Sequence, residues 1–258
     1  MKIISFNANG IRAAARKGFF DWFKNINADI LCIQETKAQL CQLDDIIFKP
    51  VGYYRYFFDA QKKGYSGVAI YTKKKPKSIK TGLGIDWADN EGRFIEVEFE
   101  NLKVASLYLP SGSSGELRQT MKMDFLKKIT PILKQYIDQN DNIILCGDFN
   151  IVHKEIDIKN WKANQKNSGC LPEERQWLDN VFSNIGFCDV FRLINNNKDE
   201  YTWWSNRGRA RERNVGWRID YQIANKEIGE KATISNTYKE EWFSDHAPLT
   251  IEYDFTII

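Results

Sequence analysis

The chain has 258 residues, of which 43% are apolar and 14% aromatic, so it can bury a sizeable core and does not have the composition of a disordered segment. Lys and Arg number 37 against 34 Asp and Glu, a net charge of +3, so overall charge does not mark a nucleic-acid binder and only its distribution can. No apolar run reaches the roughly 18 residues of a membrane span, and the five cysteines (Cys32, Cys41, Cys146, Cys170, Cys188) show neither CxxC spacing nor a histidine at metal-binding spacing.

Taken from the start, KIISF reads as a strand, and MKIISFNANG lacks the apolar stretch and cleavage site of a secretory signal. An unexported, cytoplasmic protein with reduced core cysteines is expected. Phe19, Trp22, Phe23 and Ile26 recur at helical spacing, followed by strands in DILCIQ, YYRYFF and GVAIYT. Lys73, Lys74, Lys75 and Lys77 around Pro76 read as a solvated hairpin tip. RFIEVEFE alternates strictly and predicts a strand with one wet face, whereas KIISF, ILCI and IILC are continuously apolar and predict central, doubly covered strands.

Beyond the strand KVASLYL, the positions Leu117, Met121, Leu126, Ile129, Leu133, Tyr136 and Ile137 predict a helix that Pro131 kinks or divides. NIILCGD is a further strand. A third helix is predicted after Leu171, with Pro172 in its first turn, Glu173 and Glu174 at its positive end, and Trp177, Leu178, Val181 and Ile185 facing inward. YTWW, RIDYQIA and APLTIEY complete the strands. No repeat or linker divides the chain, so residues 1–258 are expected to form one domain, a layered α/β sandwich. No apolar segment is left without a place in that core, which favours a monomer.

Chemistry concentrates where strands end. FNANG follows KIIS, QETK follows ILCI, PSG follows SLYL, GDFN follows IILC, and SDH precedes APLTIEY. If those ends share one side of the sheets, Asn7, Asn9, Glu35, Asp148, Asn150, Asp245 and His246 converge. Carboxylate and amide oxygens with one imidazole and no thiolate match Mg²⁺ or Mn²⁺ better than zinc, and Mg²⁺ leaves room for a phosphate oxygen. Each motif also has a plainer use: Asn and Gly in turns, Ser or Asp as caps, QETK as a strand leaving the core. A carboxylate at the core edge, as in GDFN, is costly to bury unless paired or metal-bound. His153, beside Lys154 and Glu155, reads as a structural hydrogen-bonding group. The segment from Tyr201 to Arg218 packs five arginines, including Arg209 and Arg211, with four aromatics and reads as a nucleic-acid contact surface.

In this order, NANGIR, QETK, GYSGVAIY, LYLPSG, GDFN, NWKANQKNSGCLPEER, NVGWRIDY and SDHAPL resemble the exonuclease III family of abasic-site (AP) endonucleases, within the endonuclease/exonuclease/phosphatase superfamily. The resemblance runs nearly end to end. It implies a four-layered α/β sandwich of two packed mixed β-sheets flanked by helices. It further implies a Mg²⁺-dependent DNA-repair phosphodiesterase, with Mn²⁺ as a substitute, that cuts double-stranded DNA 5′ to abasic sites or trims damaged or recessed 3′ ends to leave a 3′-hydroxyl.

Carried over by residue, the resemblance implies Glu35 as main metal ligand, with Asn7, Asp148, Asn150 and Asp245 around the ion. Asp148 would orient or deprotonate water, Asn150 would hold the phosphate, and Tyr108 would contact it. His246, paired with Asp220, would neutralise developing charge; whether Asp148 or His246 is the base stays open. Arg12, Lys17, Tyr65, Asn164 and Asn167 would meet the DNA backbone, while Trp203, Trp217 and Ile219 would wall a pocket for an extruded sugar without its base. Ser111 stands where many relatives have Asn, which removes a phosphate hydrogen bond and leaves the balance of endonuclease and 3′-end activity open. Two rivals remain on sequence alone. One is a relative acting on an inositol phosphate or lipid headgroup, for which the aromatic loop has no use. The other is a catalytically silent DNA binder, in which the clustered acids would repel DNA without a cation.

Overall fold

The continuously apolar strands occupy the middle of two sheets, where both faces are covered. The computed structural model describes residues 1–258. Its strands are β1 (Lys2–Asn7), β2 (Ile30–Gln34), β3 (Tyr54–Phe58), β4 (Val68–Thr72), β5 (Ser78–Thr81), β6 (Phe94–Glu98), β7 (Lys103–Tyr108), β8 (Ile143–Asp148), β9 (Phe187–Asp189), β10 (Trp203–Trp204), β11 (Gly216–Trp217), β12 (Asp220–Asn225), β13 (Ala232–Thr237) and β14 (Leu249–Tyr253). The helices are α1 (Ile11–Arg16), α2 (Phe19–Ile26), α3 (Asp86–Asn90), α4 (Glu116–Asp138), α5 (Trp161–Asn164), α6 (Pro172–Asn180), α7 (Val190–Ile194) and α8 (Lys226–Gly229).

One six-stranded sheet runs β13-β14-β1-β2-β4-β3 and the other β5-β6-β7-β8-β12-β9. Both are mixed: β1 is parallel to β2 and β7 to β8, and the other pairings are antiparallel. Alternation along β1 shows how the layers arise. Ile3 points inward to meet Val97, Val104 and Ile144 of the opposite sheet, whereas Ile4 and Phe6 point outward onto Phe19, Phe20 and Phe23 of α2. On the far side, Leu107 and Leu145 pack beneath Phe125, Leu126, Ile129 and Leu133 of α4. The result is the expected four-layered sandwich.

Polar bridges cross the apolar seam and fix how one sheet sits on the other. Gln34 Nε2 donates to Ser106 Oγ (2.9 Å), and that hydroxyl donates to the Ile33 carbonyl (2.9 Å). Gln222 Nε2 donates to the carbonyls of Ile3 (3.1 Å) and Leu249 (3.2 Å), and its own oxygen accepts from the Tyr253 hydroxyl (2.9 Å). Buried groups satisfied across a seam specify one registration of the sheets, because any slip leaves them unpaired.

Several expectations are corrected. The outer face of β6 is dry: Glu96 is buried under α4 and accepts a hydrogen bond from Tyr136. The Lys73–Lys77 segment is a crossover between sheets, since β4 pairs with β3 and β5 with β6. Three of its lysines are engaged, by Asp29, the Ile257 carbonyl and Glu100. YTWW contributes only β10, half of a two-residue ribbon with β11, and no core strand. Cys41 is exposed rather than in the core. Leu117 is 74% exposed, and Pro131 lies inside an undivided 23-residue helix.

Pro131 is exposed and removes one backbone donor from α4. Pro131→Ala is expected to raise stability by up to about 3 kcal/mol, seen as a higher urea midpoint with an unchanged denaturant slope.

Candidate active site

Register places the chemistry. Asn7 pairs with Gln34 at the carboxyl ends of parallel β1 and β2, so Glu35 emerges next to Asn7. Tyr108 pairs with Asp148 at the ends of parallel β7 and β8, and Asp220 opens antiparallel β12 opposite Asp148. β14 enters antiparallel to β1, with Leu249 opposite Ser5, so the preceding Asp245 and His246 fall at the same edge. Glycine makes this convergence fit: a Cβ on Gly147 would come within 2.0 Å of the Leu107 carbonyl oxygen. Glu35 and Asn150 turn off their strands at φ +51° and +52°.

Asn7 joins the two sheets at the floor of the site. Its Nδ2 donates to Glu35 Oε1 (2.8 Å) and Asp148 Oδ2 (2.9 Å), and its oxygen accepts from the Asn9 N–H (2.9 Å). That last bond sets which end of the amide faces the acids, so Asn7 offers them donors and no ligand oxygen. Asn150 behaves alike: its Nδ2 donates to the Leu109 carbonyl (3.0 Å) and Asp148 Oδ2 (3.2 Å), and its N–H to Asp148 Oδ1 (2.8 Å).

Burial, with Asp220 and Glu35 nearby, pushes the Asp148 carboxyl up to about 7, against the pull of His246 and the Asn150 N–H. For His246, burial alone would favour the neutral ring. Asp220 Oδ2 lies 2.8 Å from Nδ1, and with Asp148 and Asp245 nearby it raises the imidazole to about 10. Nε2 is left 3.9 Å from Asp148 Oδ2. Burial also works to raise Glu35, but Lys37, whose Nζ is 2.8 Å from Oε2, outweighs it with Asn7 and His246 and holds the carboxyl below the usual range. Tyr108, buried beside Glu35, has its phenol well above the usual range.

Glu35, Asp148 and His246 each aim one ligand atom into a group whose atoms lie within 4.8 Å of one another. An imidazolium with a raised pKa donates and does not ligate, so the set reduces to two carboxylates, the complement Mg²⁺ takes while keeping its waters. Asp245 lies outside this group. Its Oδ1 accepts from Asn9 Nδ2 (2.9 Å) and Ser244 Oγ (3.1 Å), and its Oδ2 from Trp203 Nε1 (3.2 Å).

A cleft of about 640 Å³ opens above these groups. One wall is apolar, with Trp203 edge-on to Trp217 (centroids 5.8 Å apart) and Ile219 alongside. The other is polar and small, from Ser111 to Gly115 with Asn167 and Ser168. Ser111 Oγ is tied to Ser113 Oγ at 2.9 Å. Of the residues assigned to DNA, Arg12, Lys17, Tyr65 and Asn164 lie outside the cleft lining. Arg12 and Lys17 are exposed around α1, and Tyr65 is half-buried under the guanidinium of Arg118. Asn164 Nδ2 donates to the carbonyls of Lys159 and Asn160, so that amide serves its own loop.

The arginine-rich segment divides in two. Arg209 is exposed. Arg211 is half-buried between Trp204 and Trp242 (4.7 and 5.1 Å) and donates to the Ser244 carbonyl (2.8 Å), bracing the loop that carries Asp245 and His246. Arg218 is fully buried against Asp157 and Asp189, with Arg192 completing the cluster, and is no surface residue at all. His153 pairs with Asp179 Oδ1 at 2.9 Å, away from the cleft.

Several contributors were not singled out from sequence. Lys37 beside Glu35 carries no separate signal within QETK. Thr202 Oγ1 accepts the N–H groups of both Ile219 and Asp220, a contact only the fold creates. Lys122 is the exception. It stands on the stripe of Leu126, Ile129 and Leu133, where a charge is anomalous.

Residues 4–246 match the endonuclease/exonuclease/phosphatase family. A Bacillus subtilis (strain 168) exodeoxyribonuclease is 40% identical over 253 residues, spanning 97% of this chain and 98% of that protein. Among solved structures, an AP endonuclease from Archaeoglobus fulgidus superposes with TM-score 0.89 at 29% identity, covering 99% of this chain and 100% of its own. A 3′ phosphatase from Neisseria bound to a product DNA hairpin superposes with TM-score 0.89 at 25% identity, with the same coverage. No helix of the chain is long and apolar enough to cross a membrane.

The proton that burial keeps on Asp148 below about pH 7 must leave before a cation occupies the acids. Millimolar Mg²⁺ should therefore raise the melting temperature more at about pH 8 than at about pH 6, and release protons at the lower pH. Equal shifts at both pH values would count against these acids as the site.

Proposed function

The chain belongs to the endonuclease/exonuclease/phosphatase family and is a DNA-repair nuclease of the exodeoxyribonuclease and AP-endonuclease kind, and we propose that its cleft hydrolyses double-stranded DNA 5′ to abasic sites and at damaged or recessed 3′ ends. The observation that carries this reading is the placement of Asp148, a buried carboxyl raised to about 7, beside an imidazolium and under an open cleft. A group with that pKa is matched to proton transfer near neutrality.

Asp148 is the base that takes the proton from water; His246, already charged and backed by Asp220, is the donor to a phosphate oxygen. The raised Asp148 carboxyl and the charged His246 support this division of roles. Asn150 and Tyr108 border the same space, Asn150 steadying Asp148 and Tyr108 facing the phosphate. Mg²⁺, or Mn²⁺ in its place, held by Glu35 with Asp148 and with Asn7, Asn150 and Asp245 close by, would supply Lewis-acid stabilisation of charge on the phosphate oxygens.

Trp203, Trp217 and Ile219 form the apolar wall against which a sugar lacking its base can lie, and extrusion costs least where pairing is already lost. Asn167 and Ser111 face it across the cleft, and Arg12, Lys17, Tyr65, Asn164 and Arg209 extend the contact surface along the backbone. Arg211 acts through the Ser244 carbonyl instead. β1 pairs with β14 in the same sheet, which supports residues 1–258 as one catalytic domain, and we read that domain as a monomer. Free thiols in all five cysteines suit a cytoplasmic setting.

On a duplex carrying a tetrahydrofuran abasic analogue, the protein should cut 5′ to the lesion with Mg²⁺ and not with EDTA; EDTA-resistant cutting would sink the mechanism. Asp148→Asn should lower kcat by about 10²–10⁴-fold with folding intact.

Arg209→Ala should reduce the slope of log affinity against log salt by about 1 with no loss of stability. Arg211→Ala should leave the slope unchanged while lowering the melting temperature, because it unstacks Trp204 and Trp242. Fluorescence anisotropy against NaCl and thermal melts measure the two.

A further inference from the structure

The apolar stripe of α4 contains one charge. Lys122 lies four residues before Leu126 and seven before Ile129, and its side chain is 0% exposed. Nζ donates to the carbonyl oxygen of Asn150 (2.8 Å) and pairs with Glu174 Oε1 (2.6 Å), a carboxylate that is equally buried. Leucine there would pack without desolvating a charge, and a buried ion pair is often no more stabilising than apolar replacements. Stability alone gives no reason for the lysine.

Its bonding partners do. Asn150 is the residue whose N–H and side-chain amide donate to the two oxygens of Asp148 (2.8 and 3.2 Å), so a single residue separates Lys122 from the base. On the other side, Glu174 Oε2 accepts from the N–H groups of Gly169 (2.6 Å) and Leu171 (3.1 Å). Gln119, one turn before Lys122, donates to Glu174 Oε1 (3.1 Å) and accepts from the hydroxyl of Ser168 (2.6 Å), which lines the cleft. Gly169 adopts φ +91°, and a Cβ there would stand 2.9 Å from the Asn150 carbonyl oxygen, so the loop and the carbonyl are packed to contact.

We propose that Lys122 is a positioning residue for the hydrolysis: it anchors the Asn150 carbonyl to α4, fixing the turn that presents Asn150 to Asp148. This rests on the phosphodiesterase reading.

The variant K122M/E174Q removes the anchor without stranding a buried charge, and its glutamine still accepts from Gly169 and Leu171. Assayed on the abasic-analogue duplex, its kcat per folded molecule should fall by about 10–100-fold, the usual range for groups that orient catalytic residues. KM, and DNA affinity in EDTA, should stay within about 3-fold. E174Q alone keeps the Lys122 bond to Asn150 but leaves the ammonium without its counter-ion, so it too is read per folded molecule and should retain kcat within about 3-fold. Near-UV circular dichroism supplies the folded fraction, and Lys122→Met alone, corrected the same way, shows the same loss should the double variant not fold. Parental kcat per folded molecule in K122M/E174Q reduces Lys122 to packing and overturns the proposal; an equal loss in E174Q moves the effect to Glu174 and also overturns it. A parent protein that leaves the duplex uncut overturns the phosphodiesterase reading instead, so the two failures are distinguishable.

Discussion

Asp148 and Asp220 face each other as a register pair on adjacent strands, and both residues are almost wholly buried. Two unit charges about 4 Å apart repel by about 4 kcal/mol at the effective dielectric of a protein, several times their repulsion in bulk water. With Glu35 across the seam, the floor of the cleft would not hold together undressed. His246 lies next to both aspartates, and Asn7 donates to Glu35 and Asp148 at once. Lys37 caps Glu35 from outside. The sandwich is arranged around this compensation, since Asn7 and Glu35 come from one sheet and Asp148 and Asp220 from the other. The Gln34–Ser106 and Gln222 bridges therefore do more than satisfy polar atoms. They hold the sheets in the one registration that lets an amide of the first reach a carboxylate of the second.

A second tier of buried charge does for the loops what the first does for the floor. Arg218 precedes Asp220 by two residues, and it is locked to Asp157 and Asp189 while its guanidinium lies 4.5 Å from the centre of the Tyr221 ring. That cluster ties the segment before β12 to the loop after β8, both of which line the cleft, and anchors them to the end of β9. Arg211 braces the Ser244–His246 loop from the opposite side. The active groups are thus carried on loops, yet nearly every loop is pinned by a charge held in place by its own partners, which keeps the separation between Asp148 and His246 from drifting.

The strand-end motifs were legible because a buried apolar strand followed at once by a carboxylate or amide leaves few innocent uses for the polar group. β2 and β8 were read correctly because four apolar residues in a row need cover on both faces, and β1 because Ile3, Ile4 and Phe6 need the same with only Ser5 between them. Where polarity is misleading, the reading fails. SIKT (β5) and ATISNT (β13) are edge strands with exposed residues and carry no hydrophobic pattern. Glu96 sits at a position that alternation assigns to water, but α4 covers it and Tyr136 supplies a donor, so alternation reported the pleat and not the solvent. Arginines in the Tyr201–Arg218 segment look alike in sequence, yet Arg209, Arg211 and Arg218 have three fates decided by acids and indoles remote in the chain. Density of charge identified the region; only tertiary partners could sort its members.

The two walls of the cleft impose different demands on whatever enters. Trp203, Trp217 and Ile219 offer broad apolar area, with the Trp203 indole N–H already committed to Asp245, so this wall can cover a sugar or a base-free gap chiefly by apolar contact. The facing wall is polar, built of serines and glycines with Lys166 and Asn167, and is open to phosphate oxygens. A base still in its stack would have to give up pairing to reach the floor. A base-less sugar or a frayed terminus brings the phosphate without the penalty. On the proposed function, selectivity for damage would follow from the lower cost of extruding a sugar that has no pairing to lose.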